Sequence, residues 1–404
     1  MSADSVQSKV AAVILKALEI AKNEGQLPCE VPSQLTLDRP KNRDHGDYAT
    51  SIALALAKEA NMQPGVIAKV IVKTLTDNKL LTTAGISKVD IAGPGFINIT
   101  LESASQGVVV TEILTAGKKF GTSNTLAGKK INLEFVSANP TGPLHLGHTR
   151  WAAVGDSLGR VLSAAGAQVS REFYVNDRGN QMDLFGASIR AAALGKARPE
   201  DGYHGEYIED LAKEIVKSNP QITQLAESES ISAFTQAGYK LQLEQQRKVL
   251  DNFGTHFDTW FSESSLYEDN FFNHSLDKLK KEGHVFEQEG AIWLRTTDFG
   301  DDKDRVMIKS DGTFAYFASD SAYYVSKRER GFNLCIYMLG ADHHGYVGRI
   351  KALAACAGDD PEKDVEVLIG QMVKIIEDGA ELKLSKRAGT IITLEELVEK
   401  VGTD

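Results

Sequence analysis

Three cysteines in 404 residues are too few and too scattered to organise a fold. Cys29, Cys335 and Cys356 form no C-x-x-C pair, which argues against a disulfide framework and against a zinc site. Free thiols suit a reducing cytoplasm, each read as a small buried hydrophobe. Long apolar runs are lacking too. The longest, around Val66 to Val72, is broken by Lys69 and falls far short of the ~20 residues that span a bilayer. The first residues, Met1 to Asp4, offer no basic segment leading into an apolar core, so no secretory leader is expected. Nor is there an excess of positive charge: 45 Lys/Arg against 55 Asp/Glu leave a net charge of −10. Residues 1–120 hold 13 Lys/Arg and 12 Asp/Glu, so the remainder carries −11, much of it between Glu200 and Asp302. That balance neither requires nor excludes a nucleic acid; any such contact must use local basic faces and weaken with salt. What is present, 42% hydrophobic and 25% charged residues, suits a globular chain with two or three cored domains.

Val6, Val10, Val13, Ile14, Ala17 and Leu18 recur at helical spacing, ending near Gly25. Residues 35–40 are strand-like and stopped by Pro40. The polar run from Lys41 to Thr50 leads into a helix with Ile52, Leu54, Leu56 and Ala57. Another helix pattern covers residues 66–75, and Gly93-Pro94-Gly95 turns into the strand at 96–99. Residues 1–117 thus read as a small α+β domain. A polar, glycine-bearing linker follows at 117–129. Residues 118–404 then alternate strand and helix: 131–136, 150–165, 169–175, and later 334–339 and 350–357. This is a doubly wound parallel sheet of the Rossmann type, split by a long, acidic, helical insertion at about 183–300. Within that insertion, residues 285–286 and 291–294 suggest a hairpin.

His145-Leu146-Gly147-His148 sits where the strand ending in Val136 gives way, through Asn139-Pro140-Thr141-Gly142-Pro143, to a helix. A helix start offers unpaired N–H groups and the positive end of a dipole. Gly147 lets a nucleotide approach the backbone, and the two imidazoles can donate to phosphate oxygens. Given the chain's histidine and glycine counts, an H-x-G-H string is expected roughly 0.02 times by chance. The plainer reading is a pair of surface histidines at a helix start. Farther on, Lys383-Leu384-Ser385-Lys386-Arg387, followed by Ala388-Gly389-Thr390, gathers three cations around a serine. Such a loop can clamp a polyphosphate; its plainer reading is a solvated basic turn.

Together and in this order the two motifs resemble the H-I-G-H and K-M-S-K-S signatures of class I aminoacyl-tRNA synthetases. The stretch Glu134-Phe135-Val136-Ser137-Ala138-Asn139-Pro140-Thr141-Gly142-Pro143-Leu144-His145 is similar to the arginyl-tRNA synthetase version of the first. Leu384 stands where that family's second motif has methionine, a mild apolar exchange. The likeness runs from about residue 30 to the end.

That resemblance implies ATP-dependent ligation of L-arginine to tRNA(Arg) through an arginyl-adenylate. Catalysis would come from positioning and charge stabilisation, without a side-chain nucleophile. It implies His145 and His148 at the α-phosphate, and Lys383 and Lys386 at the leaving pyrophosphate. Leu146, Gly147, Gly340, Asp342, His344 and Ser385 would line the ATP site, with Mg²⁺ carried by the phosphates rather than by protein ligands. Arginine would meet Tyr316 and Asp320 at its guanidinium. Ser137, Asn139, His145, Gln371 and Glu134 would lie around its main-chain end. Asp342 could instead cap a helix, Tyr316 could pack in a core, and Glu134 could be a strand-end surface charge. Asn176, Asp177, Gly179 and Gln181 match a recurrent family segment without a physical role. Residues 1–117 would contact the tRNA elbow through the Lys41–Thr50 run, where Asp47 or Thr50 could equally cap a helix. The anticodon-binding domain of the family is expected to be absent. A cytoplasmic monomer that meets no membrane is expected. The competing readings are another class I specificity, a plain adenylyltransferase, and a tRNA-binding fragment unable to charge.

Overall fold

A computed structural model describes residues 6–268, 270–341, 345–371, 376–377, 380–381 and 392–403. The chain divides into two compact units, Met1–Ser123 and Asn124–Asp404.

In the first unit, helix α1 (Val6–Asn23) buries Val6, Val10, Val13, Ile14, Ala17, Leu18 and Ala21, one stripe at helical spacing. That stripe packs with α2 (Ile52–Ala60), α3 (Pro64–Asp77) and α4 (Leu80–Thr83) over a three-stranded antiparallel sheet. Its strands are β1 (Tyr48–Thr50), β2 (Ile86–Ala92) and β3 (Phe96–Leu101), in the order β1-β3-β2. Helix α5 (Ser103–Ala116) follows. The expected strand at 35–40 reduces to a single bridge between Asp38 and Ala49. The Lys41–Thr50 run has a structural job. Gly46 sits at φ 87°, and a methyl there would lie 2.5 Å from the Ile99 carbonyl oxygen. Beside it, the Asp47 carboxylate accepts from the Leu101 amide at 2.8 Å, tying the run to β3. Asp47 therefore caps no helix, whereas Thr50 accepts from the Ile52 amide at 3.3 Å as α2 begins.

The second unit is built on a five-stranded, wholly parallel sheet in the order β11-β10-β4-β5-β6. The strands are β4 (Lys130–Glu134), β5 (Gln168–Val175), β6 (Thr259–Ser262), β10 (Leu334–Gly340) and β11 (Val365–Gly370). Helix α6 (Leu146–Ala164) joins β4 to β5. Helices α7 (Asn180–Ala193), α8 (Glu206–Ser218) and α9 (Glu227–Asn252) join β5 to β6. Between β6 and β10 come α10 (Phe271–Lys281), α11 (Tyr316–Glu329) and an antiparallel sheet of β7 (Val285–Gln288), β8 (Ala291–Leu294) and β9 (Arg305–Ile308). Helix α12 (Tyr346–Cys356) joins β10 to β11; the short pair β12 (Ile376–Glu377) and β13 (Ala380–Glu381) and helix α13 (Leu394–Val401) complete the chain. The fold is thus α/β and doubly wound. Chain order reverses between β10 and β4, the place where such sheets open a crevice for ligands. Inside the stretch expected to be one insertion at about 183–300, β6 rejoins the main sheet: Phe173 pairs with Trp260 in parallel register. A four-residue strand within an acidic stretch gives too little periodicity to be seen alone. The inserted material therefore lies in two blocks, on either side of β6. Among the described residues, no helix is long and apolar enough to cross a membrane.

Helix α6 packs closely on the sheet, and this fixes where its N-terminus stands. A methyl on Gly155 would lie 2.3 Å from the ring of Phe135, and one on Gly159 would lie 2.6 Å from Arg171 Nε. Gly155→Ala should therefore destabilise the fold by ~1–3 kcal/mol through overpacking. A thermal melt measures this, and an unchanged melting temperature would refute the close approach.

Candidate active site

Three of the sequence-expected site residues stand at the C-terminal edge of the parallel sheet. Glu134 ends β4, Gly340 ends β10, and Gln371 follows β11. Asp342, His344, Lys383, Ser385 and Lys386 lie outside the described residues. Directly after β4 the backbone is strained: Val136 and Ser137 stand at φ 68° and 43°, left-handed values costly for residues with a Cβ, above all a β-branched one. Side chains hold the turn. Ser137 Oγ donates to Glu134 Oε1 at 3.2 Å and accepts from the Tyr174 amide at 3.1 Å. The next loop is fixed by the inserted helices. Gln246 Nε2 of α9 donates to the Asn139 and Gly142 carbonyls at 3.1 and 2.8 Å, and the Tyr207 hydroxyl of α8 donates to the Thr141 carbonyl at 3.0 Å. Asn139 Nδ2 donates to Gln181 Oε1 at 2.7 Å, which gives Gln181 the role that sequence alone withheld.

This loop delivers the tetrad to the first turn of α6. His145 is the N-cap, its Nδ1 accepting from the Gly147 amide at 3.1 Å. His148 Nδ1 accepts from the His145 amide at 3.2 Å, and the rings lie 3.9 Å apart. Two histidines thus form a reciprocal capping box, where serine and glutamate are usual. With both Nδ1 atoms accepting, each neutral ring carries its proton on Nε2, a donor suited to a phosphate oxygen. Gly147 is required for close approach: a methyl there would lie 2.9 Å from the His145 ring. The chain returns to this place after the second motif. The Leu146 amide donates to the Ile392 carbonyl at 2.9 Å, the Leu394 amide to the Leu144 carbonyl at 2.9 Å, and His145 bridges Thr393. Thr393 and Glu396 form a capping box at the start of α13. Arg150 Nη1 donates to the Gln371 carbonyl at 2.7 Å, joining α6 to the end of β11.

Around Glu134, at the end of β4, the site is acidic. Asp320 of α11 is partly buried. Burial pushes its carboxyl up to about 6, against a hydrogen bond from Tyr346 and the charge of Arg349, while Glu134 adds to the rise. Glu263, just past β6, is also raised, by burial and then by the charges of Asp177 and Asp320, opposed by a Tyr174 hydrogen bond and by Arg178. Two carboxylates held above their ordinary range in one place are poised for a cation. Asp177 is fully engaged with protein: it accepts from Ser262 Oγ at 2.5 Å, from the Ser264 amide and hydroxyl at 2.9 Å each, and from Tyr239 at 3.3 Å. It organises the Ser262–Ser264 segment that presents Glu263. Tyr316 opens α11 with its side chain 95% exposed, so the core-packing alternative is excluded.

Glu134 is corrected in its surroundings. It is buried, and its Oε2 accepts from Lys327 Nζ at 2.6 Å, so it is no strand-end surface charge. Lys327, Glu172, Glu263 and Gln246 escaped sequence reasoning. The available signal was a carboxylate beside a large apolar side chain in a strand, Glu134 next to Leu133 in β4 and Glu172 next to Phe173 in β5. Such charges need buried partners.

Comparison with known proteins identifies the family. The family described as "tRNA synthetases class I (R), catalytic domain" matches residues 109–402, and "Arginyl tRNA synthetase N terminal domain" matches residues 5–101. The arginine–tRNA ligase of Renibacterium salmoninarum is 51% identical over 98% of this chain, and that of Kineococcus radiotolerans is 50% identical over 98%. The chain spans 71% of each of these relatives. The Thermus thermophilus arginyl-tRNA synthetase structure, 20% identical, superposes with a TM-score of 0.64 over 97% of this chain and 68% of its own, which supports the fold. With family models on both units and half-identical relatives along nearly its whole length, this chain belongs to the arginyl-tRNA synthetases of class I.

Proposed function

We propose that this chain activates L-arginine with ATP and transfers it to tRNA(Arg). The observation that carries the reading is one sheet edge with two opposite electrostatic halves. A histidine-capped helix N-terminus suits phosphate, and a partly buried pair of carboxylates suits a guanidinium. In the first step the arginine carboxylate attacks the α-phosphorus, forming a P–O bond while pyrophosphate leaves. In the second, a terminal ribose hydroxyl of the tRNA attacks the adenylate carbonyl and AMP departs. His145 and His148 would donate from Nε2 to the α-phosphate oxygens, and the amides at the start of α6 would add their dipole. Leu146, Gly147 and Gly340 would lie along the nucleotide; we assign Asp342, His344 and Ser385 there too, with Lys383 and Lys386 at the pyrophosphate. Mg²⁺ would arrive on the phosphates: the tetrad's donors are N–H groups, which bind oxyanions and not cations. Asp320 and Glu263 would pair with the guanidinium, with Tyr316 at the rim. Glu134, Ser137, Asn139 and Gln371 would surround the main-chain end. The three free, buried cysteines suit a reducing cytoplasm.

Labelled arginine, ATP and tRNA should yield arginyl-tRNA, and lysine should yield none. Charging of another amino acid, or of none, would sink the assignment. Arginine affinity should also carry the signature of Asp320. Burial pushes its carboxyl up to about 6, and only the ionised form pairs with a guanidinium. Affinity should be level above about pH 7 and fall toward tenfold per pH unit once below 6. Calorimetric titration at several pH values measures it; a flat profile down to pH 4.5 would exclude Asp320 as the partner.

A further inference from the structure

Helix α11 carries one polar stripe toward the sheet, at Asp320, Tyr323, Lys327 and Arg330, spaced three or four residues apart and continuing one residue past the helix. Every member meets a carboxylate or is one. The Tyr323 hydroxyl donates to Glu172 at 2.6 Å, and Arg330 donates to both Glu172 oxygens at 2.5 and 3.1 Å. Lys327 donates to Glu134 at 2.6 Å and lies 4.0 Å from Glu172. Glu134 and Glu172 are directly paired on adjacent parallel strands, so two carboxylates stand side by side on one face. Like charges there repel unless a cation lies between them. Lys327 is that cation. Its side chain is wholly buried, with Nζ 4.3 and 3.9 Å from the ring centres of Tyr323 and Tyr337.

Glu172 needs Lys327 least. Burial pushes its carboxyl up, but the Arg330 hydrogen bonds, with the charges of Lys327 and Arg330 and the Tyr323 hydroxyl, outweigh this and hold it below its ordinary value. Glu134 has no such surplus. Lys327 donates to one of its oxygens and Ser137 to the other. Ser137 in turn sits in a left-handed turn that needs holding.

We propose that Lys327 is a positioning residue for the amino-acid site, acting through Glu134 and Ser137. It fixes the carboxylate that receives the substrate's main-chain ammonium. Because the same helix carries Asp320 two turns earlier, α11 also sets the spacing between the two ends of the bound amino acid. This inference rests on the proposed activation of arginine at the same site.

Lys327→Met, Glu134→Gln and the double variant test it, with calorimetric titration of arginine and of ATP, and with steady-state charging. If Lys327 works through Glu134, Lys327→Met should weaken arginine binding about 10- to 100-fold, the worth of a hydrogen bond to a charged group, and leave ATP within about 2-fold. KM for arginine should rise by more than kcat falls. The double variant restores a neutral, size-matched pair, so it should lose no more than Glu134→Gln alone and melt higher than Lys327→Met. Losses that multiply in the double variant, or arginine and ATP affinities falling together, would make Lys327 a packing residue and overturn the inference. Wild-type chain that binds no arginine would instead overturn the underlying reading.

Discussion

Asp320→Asn should remove most arginine binding while raising, not lowering, the melting temperature of the empty protein at pH 8. The two effects share one cause. Burial pushes the Asp320 carboxyl up to about 6, even though the Tyr346 hydroxyl and the Arg349 charge favour its ionised form. A carboxyl whose folded pKa exceeds its unfolded value, about 3.9, binds its proton more tightly in the fold. Its contribution to stability is therefore full below about pH 4 and lost as pH rises through 6. At pH 8 the empty site holds a carboxylate it would rather see neutral, and an isosteric amide removes that cost. Asn can still accept from the Tyr346 hydroxyl. The guanidinium loses its counter-ion, and truncating one member of a desolvated charge pair costs ~2–5 kcal/mol, roughly 30- to 5,000-fold in affinity. ATP should bind as before, since the tetrad is untouched. Titrations with arginine and with ATP, together with melts at pH 5 and pH 8, read all of this. A lower melting temperature at pH 8, with both ligands weakened, would identify Asp320 as a structural residue.

The phosphate half of the site was legible because its chemistry is local. His145, Gly147 and His148 lie within four residues, and the helix they begin announces itself through Val154, Leu158 and Leu162. What periodicity missed is that the histidines cap that helix themselves, since imidazole is an uncommon N-cap. The amino-acid half was legible only through resemblance. Asp320 is one acid among many, and Glu263 lies hidden in the acidic stretch whose four-residue strand β6 carries no readable alternation. Lys327 sits in the run Lys327-Arg328-Glu329-Arg330, which on sequence is the solvated last turn of a helix. Its burial is decided by Glu134 and Glu172, on strands more than 150 residues away. Strand β1 is hidden in a polar run of the sequence, because Tyr48–Thr50 gains its conformation from pairing with β3 rather than from propensity. For Lys327 and for β1 the missing information was a partner distant in the chain.

His148 is where cap and chemistry can be separated, and its variants should show the largest loss of rate. Its Nδ1 accepts from the His145 amide, while its Nε2–H is the donor we assign to the α-phosphate. Glutamate at this N3 position can accept from the amide as in an ordinary capping box but offers no donor. Glutamine can accept in the same way through Oε1 and still offers an N–H donor from Nε2. His148→Glu should therefore lose at least about 10²- to 10³-fold in kcat, the worth of one preorganised donor at a developing oxyanion, while its melting temperature stays near that of the wild type. His148→Gln should keep more of the rate at a similar melting temperature. His148→Ala forfeits both the donor and the cap, the latter worth ~0.5–2 kcal/mol of stability. The expected ranking puts Gln first for rate and Ala last for stability, with Glu stable but slow, read by charging kinetics and thermal melts on the same preparations. Rate and stability falling in one common order would mean that the imidazole serves the helix alone. The α-phosphate would then depend on His145 and the amides of the first turn, whose geometry Gly147 keeps open.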